Sequence, residues 1–339
     1  MFNSYQRYVE EDLNIENSEK SQPQTNKHIF VQAFNPMLGK MEWKSQPEDY
    51  DYQQEVARAA FADMLHDSER NQLYYQGLKS AIEKKRKEGE KVHVLDIGTG
   101  TGLLAMMSAK LGADEVTAIE EFAPMYRCAK KIIEANGFGD KIKLIGKRST
   151  RVKVSSENSK IEDKEFDMKE RANILVTEVF DTELIGEAAI ATFNHAHKFL
   201  LTKDCIVVPS EGVMYAQVVN SDVASKWNSL HTICTGNGEL GTFSKLEPPS
   251  LSSDAESYSL ALHDLQLSQL KPELFKPITD PIEVFHFDFN CRDGKPIPLR
   301  EQTIRQGAVL KSGQCDAIFM WWDISMDLNK VSNRFRRKI

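Results

Sequence analysis

The stretch VLDIGTGTG, residues 94–102, decides the fold, because it follows a short apolar run and leads into an apolar helical segment. Its last five residues, GTGTG at 98–102, are called the glycine loop below. Glycine has no Cβ, so this loop can turn tightly and bring its backbone close to a ligand. Glu120 ends the next apolar run, where a carboxylate can accept hydrogen bonds from both hydroxyls of a ribose. The pattern predicts a nucleoside-cofactor site at the carboxyl edge of a sheet.

The spacing of the glycines distinguishes between cofactors. A dinucleotide fold favours G-x-G-x-x-G, with a pyrophosphate at the helix N-terminus. Here the pattern is D-x-G-x-G-x-G, in which Asp96 precedes the first glycine. A carboxylate beside the loop suits a cationic amino-acid group better than a pyrophosphate, and S-adenosylmethionine carries an ammonium and a sulfonium. We therefore expect S-adenosylmethionine as the cofactor, over the alternative that the glycines only pack a helix against a strand.

Strands and helices alternate around the glycine loop. Apolar runs and capping residues predict strands at 92–96, 115–119, 141–145 and 173–177, and helices at 103–111, 124–135 and 188–201. This alternation predicts a Rossmann-like α/β domain with a parallel sheet and helices on both faces. After about residue 205, short β-rich runs broken by Pro, Gly and Asn predict an antiparallel β-sandwich or β-barrel.

The chain divides into three predicted regions. Residues 1–27 are polar and aperiodic, so we expect a disordered tail. Residues 28–204 form the Rossmann-like cofactor domain with N-terminal helices, and residues 205–339 form an incomplete β-barrel substrate domain. Among the N-terminal helices, EVARAAFADML at 55–65 is amphipathic. Asp67 and Ser68 are N-cap candidates for the next helix, which ends in the charged, solvated run 83–91.

Composition excludes several classes of protein. The 339 residues hold 43 basic and 50 acidic side chains, a net charge of −7, which disfavours a non-specific nucleic-acid binder. No apolar run approaches the roughly 20 residues of a membrane helix, so no membrane partner is expected. The five cysteines are scattered and never form CxxC, which predicts reduced thiols rather than metal ligands. His195 and His197 lie two positions apart on a helix and face different ways, so we expect structural roles and no metal.

A pair of glutamates, Glu178 and Glu187, frames the stretch TEVFDTELIGE at 177–187, which follows the fourth predicted strand. Glu178 and Glu187 are nine positions apart, which places them on opposite sides of either a helix or a strand. They can converge only if the chain turns back between them, and Gly186 offers a turn. Two carboxylates held together repel unless a cation lies between them. A guanidinium suits that position because it is planar, always charged and able to form bidentate bonds.

These motifs together resemble the protein arginine N-methyltransferases. The D-x-G-x-G-x-G loop, the Ile-Glu pair after the second strand and the E-x(8)-E pattern after the fourth carry the resemblance. Further similarity to one subfamily, whose members carry two methyltransferase modules, lies in the segments DYDY at 49–52, MLHD at 64–67, HAH at 195–197 and WWDI at 321–324. The resemblance covers about residues 34–327 and corresponds to the first of those modules.

The resemblance implies a role for each candidate site residue. Glu178 and Glu187 are the catalytic pair that holds the substrate arginine, and Glu187 is our candidate for receiving the proton. Arg70 binds the carboxylate of the cofactor's methionine part, and Asp96 lies near its ammonium. The remaining implied cofactor residues are Gly98 and Gly100 in the glycine loop, Glu120 at the ribose and Thr150 near the adenine.

The implied activity is transfer of a methyl group to a guanidinium nitrogen of protein arginines. Histone tails and Gly/Arg-rich segments are the expected substrates, ω-N-monomethylarginine the product, and cytoplasm and nucleus the locations. A dimer or pseudo-dimer contact stays open. In the family a threonine-histidine-tryptophan loop and a second module follow, but no His-Trp pair occurs here. The alternative is therefore a catalytically weak or inactive binding module with a truncated barrel. A small-molecule methyltransferase is disfavoured, because the glutamate pair has no purpose there.

Overall fold

The computed structural model describes residues 28–35, 39–47, 61–155, 166–227, 271–326 and 334–337. The predicted tail at 1–27, the segment at 49–52 and the first part of the helix predicted at 55–65 lie outside these residues. Within the described ranges, no helix combines the length and the apolar character that crossing a membrane requires.

Two strands and two helices precede the glycine loop. They are β1 (His28–Asn35), β2 (Lys40–Pro47), α1 (Phe61–His66) and α2 (Ser68–Lys87), and β1 pairs with β2 antiparallel. Asp67 caps α2, because its Oδ1 accepts the backbone N–H of Arg70 at 2.9 Å. The prediction of an N-cap at this position is confirmed.

One residue of the charged run at 83–91 is not solvated as predicted. Lys85 is 2% exposed, and its Nζ lies 3.0 Å from Glu90 Oε1 and 2.9 Å from Asp204 Oδ2. A buried ammonium is stable only when paired, and these carboxylates supply the pairing. The long lysine stem therefore packs inward, while neighbouring charges of the run stay exposed.

A five-stranded parallel sheet forms the centre of the first part. Its strands are β3 (His93–Ile97), β4 (Glu115–Ile119), β5 (Ile142–Ile145), β6 (Ala172–Thr177) and β7 (Leu201–Val208). The order across the sheet is β5-β4-β3-β6-β7, so the chain reverses its direction of winding between β3 and β6. Ligands of such sheets bind at the carboxyl ends of the strands, near that reversal. The Rossmann-like fold is confirmed.

Helices α3 (Leu103–Lys110), α4 (Ala123–Ala135) and α5 (Ala189–His195) connect these strands, and α5 continues as a π-helical turn to Leu200. Proline stands in the first turn of α4, and Gly137 follows its end at φ 76°, as the start and stop residues predict. β3 and β6 are buried along their whole length, which is typical of central strands with helices on both faces.

The second part is an antiparallel sheet. Its elements are β8 (Glu211–Asn220), α6 (Asp222–Trp227), β9 (Lys276–Pro277), β10 (Ile282–Asp288), β11 (Ala317–Ser325) and β12 (Arg334–Arg337). The strand order is β10-β8-β11-β12, with β9 beside β8. Antiparallel pairing is confirmed, but over the described residues these strands do not close into the predicted barrel.

The boundary predicted near residue 205 falls inside β7. Ile206, Val207 and Val208 pair in parallel with β6, so the chain leaves the parallel sheet only after Val208. The run CIVVP at 205–209 is the first of the short β-rich runs that were expected to form the second part, because a short apolar run does not itself indicate which sheet it joins. Here the run completes the first sheet, and β8 begins the second.

Candidate cofactor and substrate site

The glycine loop adopts a backbone that favours glycine. Gly98 and Gly102 have φ values of 73° and 86°, in the left-handed region that side chains disfavour. A Cβ on Gly102 would lie 2.9 Å from the side chain of Ile133, so the loop also packs closely against α4. The backbone N–H of Gly98 donates to the carbonyl oxygen of Ile119 at 3.0 Å, which fixes the loop beside the end of β4.

Asp96 lies at the carboxyl end of β3 with no exposed surface. Its Oδ2 accepts the hydroxyl of Thr99 at 2.5 Å, whereas its Oδ1 is buried without a partner. Burial raises the pKa of this carboxyl to about 7. A buried acceptor without a donor is uncommon in folded proteins, and at a sheet's ligand edge it suits a donor supplied by the ligand.

Glu120 ties the glycine loop to the end of β4. Its Oε2 accepts the backbone N–H of Gly100 at 2.9 Å, and its Oε1 accepts that of Phe122 at 2.8 Å. Burial raises the pKa of this carboxyl, and the two backbone donors oppose that rise. Each carboxylate oxygen can accept further bonds, so this scaffold role is compatible with the predicted ribose contact.

Arg70 and Glu178 lie together at the edge of the sheet. Arg70 Nη1 is 3.9 Å from Glu178 Oε2, and only 10% and 16% of the two side chains are exposed. The guanidinium also lies 5.8 Å from the ring centroid of Tyr74. Arg70 Nε is buried without a partner. Two residues predicted separately from the sequence, one before β3 and one after β6, therefore belong to one site.

Tyr74 is a member of this site that sequence reasoning missed. It is fully buried, and its hydroxyl donates to the carbonyl oxygen of Thr177 at 3.1 Å. Burial raises the pKa of the Tyr74 phenol well above its usual range, and the charges of Glu178 and Asp96 add to the rise while Arg70 opposes it. All three charged groups thus lie around one ring. The only signal in the sequence is the spacing from Arg70, which puts Tyr74 on the same face of a helix.

Residues 178–187, called the double-glutamate loop, contain a tight turn between the two predicted glutamates. Asp181 Oδ1 accepts the backbone N–H groups of Glu183 at 3.1 Å and Gly186 at 3.0 Å. The turn therefore centres on Asp181 as well as on the predicted Gly186. Glu178 is partly buried beside Arg70, whereas Glu187 is exposed at the far end of the loop.

The other predicted cofactor residues lie at the same edge of the sheet. Gly98 is exposed directly after β3, and Gly100 is buried against Glu120. Thr150 is partly buried in the 3₁₀ turn Ser149–Arg151 that follows β5. The carboxyl ends of four neighbouring strands thus carry the predicted cofactor residues and Glu178, together with Arg70 from α2.

Two polar groups lie apart from this edge. His197 Nε2 is 2.8 Å from the carbonyl oxygen of Phe289, in keeping with the structural role predicted for it. His93, Glu115 and Glu170 have ligand atoms within 4.8 Å of one another, a spacing compatible with a metal ion. Lys91 Nζ bonds both of these carboxylates, at 3.2 Å and 2.5 Å, so an ammonium already neutralises that group.

Comparison with known proteins finds relatives that match most of this chain. The family described as Ribosomal protein L11 methyltransferase (PrmA) matches residues 77–190, from within α2 to the start of α5. "Protein arginine N-methyltransferase 7" of Drosophila erecta is 48% identical over 301 residues, which cover 88% of this chain. Over this span the chain is similar to curated proteins named protein arginine N-methyltransferase 7. The Drosophila melanogaster protein of that name is 47% identical over 301 residues, and the chain spans 41% of its length.

Two solved structures share the fold of this chain. One is the Arabidopsis thaliana protein arginine methyltransferase 10, with a TM-score of 0.55 and 17% identity, covering 83% of this chain and 78% of that one. The other is the Trypanosoma brucei PRMT1 enzyme-prozyme heterotetrameric complex with AdoHcy, with a TM-score of 0.54 and 19% identity. The latter match covers 78% of this chain and 73% of that chain. At these identities the likeness concerns the fold, and it agrees with the Rossmann-like topology described above.

Proposed function

We propose that this chain binds S-adenosylmethionine and transfers its methyl group to arginine side chains of proteins. The observation that carries the proposal is a pair of buried, unpartnered polar atoms, Asp96 Oδ1 and Arg70 Nε, around the same tyrosine. One is an acceptor and the other a donor. The methionine part of the cofactor presents the complementary pair, an ammonium and a carboxylate. The charge pattern of the site therefore fits an amino-acid zwitterion.

The remaining cofactor residues fit the nucleoside part. Glu120 holds the glycine loop and keeps acceptor capacity for ribose hydroxyls, and Gly98 and Gly100 leave room for close approach of the ligand. Thr150, beyond β5, is assigned to the adenine. When bound, the cofactor supplies an electrophilic methyl group on a sulfonium.

Glu178 activates the substrate in this proposal. Its carboxylate already lies beside a guanidinium, that of Arg70, in a site where little of either side chain is exposed. Accepting N–H groups from a substrate guanidinium draws positive charge away from the attacking nitrogen and fixes that nitrogen for in-line displacement. Glu187, exposed at the other end of the double-glutamate loop, supplies the second carboxylate and receives the proton.

Arginine-rich protein segments are the proposed substrates. The net charge of −7 favours encounter with cationic partners such as histone tails and Gly/Arg-rich sequences. We assign ω-N-monomethylarginine as the product, and action in cytoplasm and nucleus, on the family resemblance. The chain spans about two fifths of the length of its curated relatives, and these assignments are proposals for this chain.

The test uses the chain, S-adenosylmethionine radiolabelled in the methyl group, and a Gly/Arg-rich peptide. A matched peptide with lysine at every arginine is the control. We expect label in the arginine peptide alone, recovered as ω-N-monomethylarginine after hydrolysis. Cofactor binding without transfer would favour the binding-module alternative. Absence of both binding and transfer would contradict the proposal.

A further inference from the structure

The double-glutamate loop is held by a residue from the antiparallel sheet. Trp322, in β11, is 1% exposed, and its indole Nε1–H donates to two successive carbonyl oxygens of the loop. The acceptors are Asp181, at 3.2 Å, and Thr182, at 3.1 Å. One buried donor, about 140 positions away in the chain, thus restrains the loop where it turns back.

The indole also belongs to an aromatic cluster that anchors the start of the loop. The ring centroid of Phe180 lies 6.1 Å from that of Phe193, 5.5 Å from that of Phe289 and 6.2 Å from that of Trp322. Phe193 and Phe289 stack with their centroids 4.4 Å apart. The rings fix Phe180 by packing, whereas the indole N–H fixes the two following carbonyls by hydrogen bonds. Packing of the ring and donation by the N–H are therefore separable contributions of the Trp322 side chain.

The two restrained carbonyls, those of Asp181 and Thr182, lie at the turn within the double-glutamate loop. The Asp181 side chain accepts two backbone N–H groups farther along the loop, so a shift of Asp181 changes the path between Glu178 and Glu187. Leu184, within that path, has a φ of 67°, a conformation that persists only where the surroundings enforce it. The loop therefore depends on contacts from outside itself.

We propose that Trp322 is a positioning residue, whose indole N–H sets the conformation of the double-glutamate loop and thereby the alignment of Glu178 and Glu187. The catalytic consequence rests on the proposed methyltransferase function, whereas the structural consequence does not. Trp322 acts through the loop. Of the residues assigned to the cofactor's methionine part, Asp96 bonds Thr99, outside the loop, whereas Arg70 belongs to α2 and meets the loop at its first residue, Glu178. Losing the N–H should consequently affect turnover and not cofactor affinity.

The chain offers a matched control in the adjacent tryptophan. Trp321 points to the other side of β11 and stacks on Tyr215, with the centroids 5.7 Å apart. Trp322→Phe keeps an aromatic ring in the cluster but removes the donor, and Trp321→Phe makes the same chemical change away from the loop. Phe193→Leu is a third variant, which weakens the cluster without touching the hydrogen bonds.

Hydrogen exchange of the loop amides tests whether Trp322 positions the loop, and this measurement does not require methyl transfer. For Trp322→Phe we expect exchange at 183–186 to accelerate about tenfold relative to the amides of β3, since one buried hydrogen-bond donor is lost. Trp321→Phe should leave that ratio unchanged, and Phe193→Leu should accelerate exchange in loop and strand alike. Unchanged loop exchange in Trp322→Phe, or equal selective acceleration in either of the other variants, would overturn the positioning role.

Kinetics then test the catalytic consequence. In methyl transfer, Trp322→Phe should lower kcat about tenfold while the Kd for S-adenosylhomocysteine, measured by calorimetry, stays within twofold of wild type. A lowered affinity with unchanged kcat would contradict a role through the loop. If the wild-type chain transfers no methyl group, the proposed function fails, and the exchange experiment still decides whether Trp322 holds the loop.

Discussion

The hydroxyl of Tyr74 offers the sharpest test of how the site is built. Tyr74→Phe removes one oxygen atom and leaves the ring, which is fully buried, in place. The lost bond is the donation to the carbonyl oxygen of Thr177 at 3.1 Å, which joins α2 to the end of β6 directly before Glu178. The ring face near Arg70 is unchanged by the substitution. The variant therefore isolates one hydrogen bond between two elements that carry site residues.

The expected cost is about 1–2 kcal/mol in the free energy of unfolding. An ordinary intramolecular hydrogen bond contributes roughly 0.5–1.5 kcal/mol to stability. Leaving a buried acceptor without its hydrogen-bond partner costs roughly 1–3 kcal/mol. Both ranges are relevant here, because Tyr74→Phe removes a hydrogen bond and also takes one donor away from the Thr177 carbonyl, which lies in a buried strand. Larger losses would require a cavity, and the substitution removes too little volume to create one.

Urea unfolding of the whole chain, followed by circular dichroism, measures this cost. Tyr74→Phe should lower the midpoint concentration without changing the slope, since the area exposed on unfolding is the same. Tyr75→Phe is the matched control, because Tyr75 is only partly buried and should change the stability by less than about 0.5 kcal/mol. Wild-type stability in Tyr74→Phe, or an equal loss in Tyr75→Phe, would refute the reasoning.

Three further predictions concern single contacts of the site. Asp67→Ala removes the cap on the Arg70 N–H and should cost about 1 kcal/mol in urea unfolding, and a loss below about 0.3 kcal/mol would count against the cap. Gly186→Ala places a Cβ against the Asp181 carboxylate, so protease cleavage within 181–187 should quicken while the unfolding midpoint barely changes. Asp96 has a folded pKa of about 7, above its ordinary 3.8, so the folded state binds this proton more tightly. Its charge therefore costs stability above pH 7, and the cost disappears below about pH 4. Without cofactor, Asp96→Asn should exceed wild type in melting temperature at pH 8, with the gap closing towards pH 4, and a pH-independent gap would contradict the raised pKa.

The sequence predicted those features that depend on local geometry. The glycines at 98–102 specify a turn that other residues disfavour, and the apolar runs around them specify strands and helices of the observed type. Asp67 was predictable as a cap because a capping side chain and its N–H partner lie within one helical turn. The placement of Glu178, Asp96 and Glu120 at one edge followed from the rule that parallel strands end together.

Features that depend on distant pairs were not predictable in this way. Nothing in the sequence near Trp322 indicates that its N–H bonds the carbonyls of Asp181 and Thr182, because the two segments meet only after both sheets have formed. The burial of Lys85 depends likewise on Asp204, which lies on a strand far along the chain. The sheet that residues 205–208 join is set by pairing with β6, and short apolar runs pair equally well in either sheet.

The central claim is that Glu178 acts on a substrate guanidinium while other residues hold the cofactor. Its most direct test compares the rate of methyl transfer to an arginine peptide with the affinity for S-adenosylhomocysteine, in wild type and in Glu178→Gln. Glu183→Gln, an exposed glutamate of the same loop, is the control. We predict that Glu178→Gln loses at least about 100-fold in kcat and keeps its Kd within a few-fold, while Glu183→Gln retains activity. Wild-type turnover in Glu178→Gln would contradict the account.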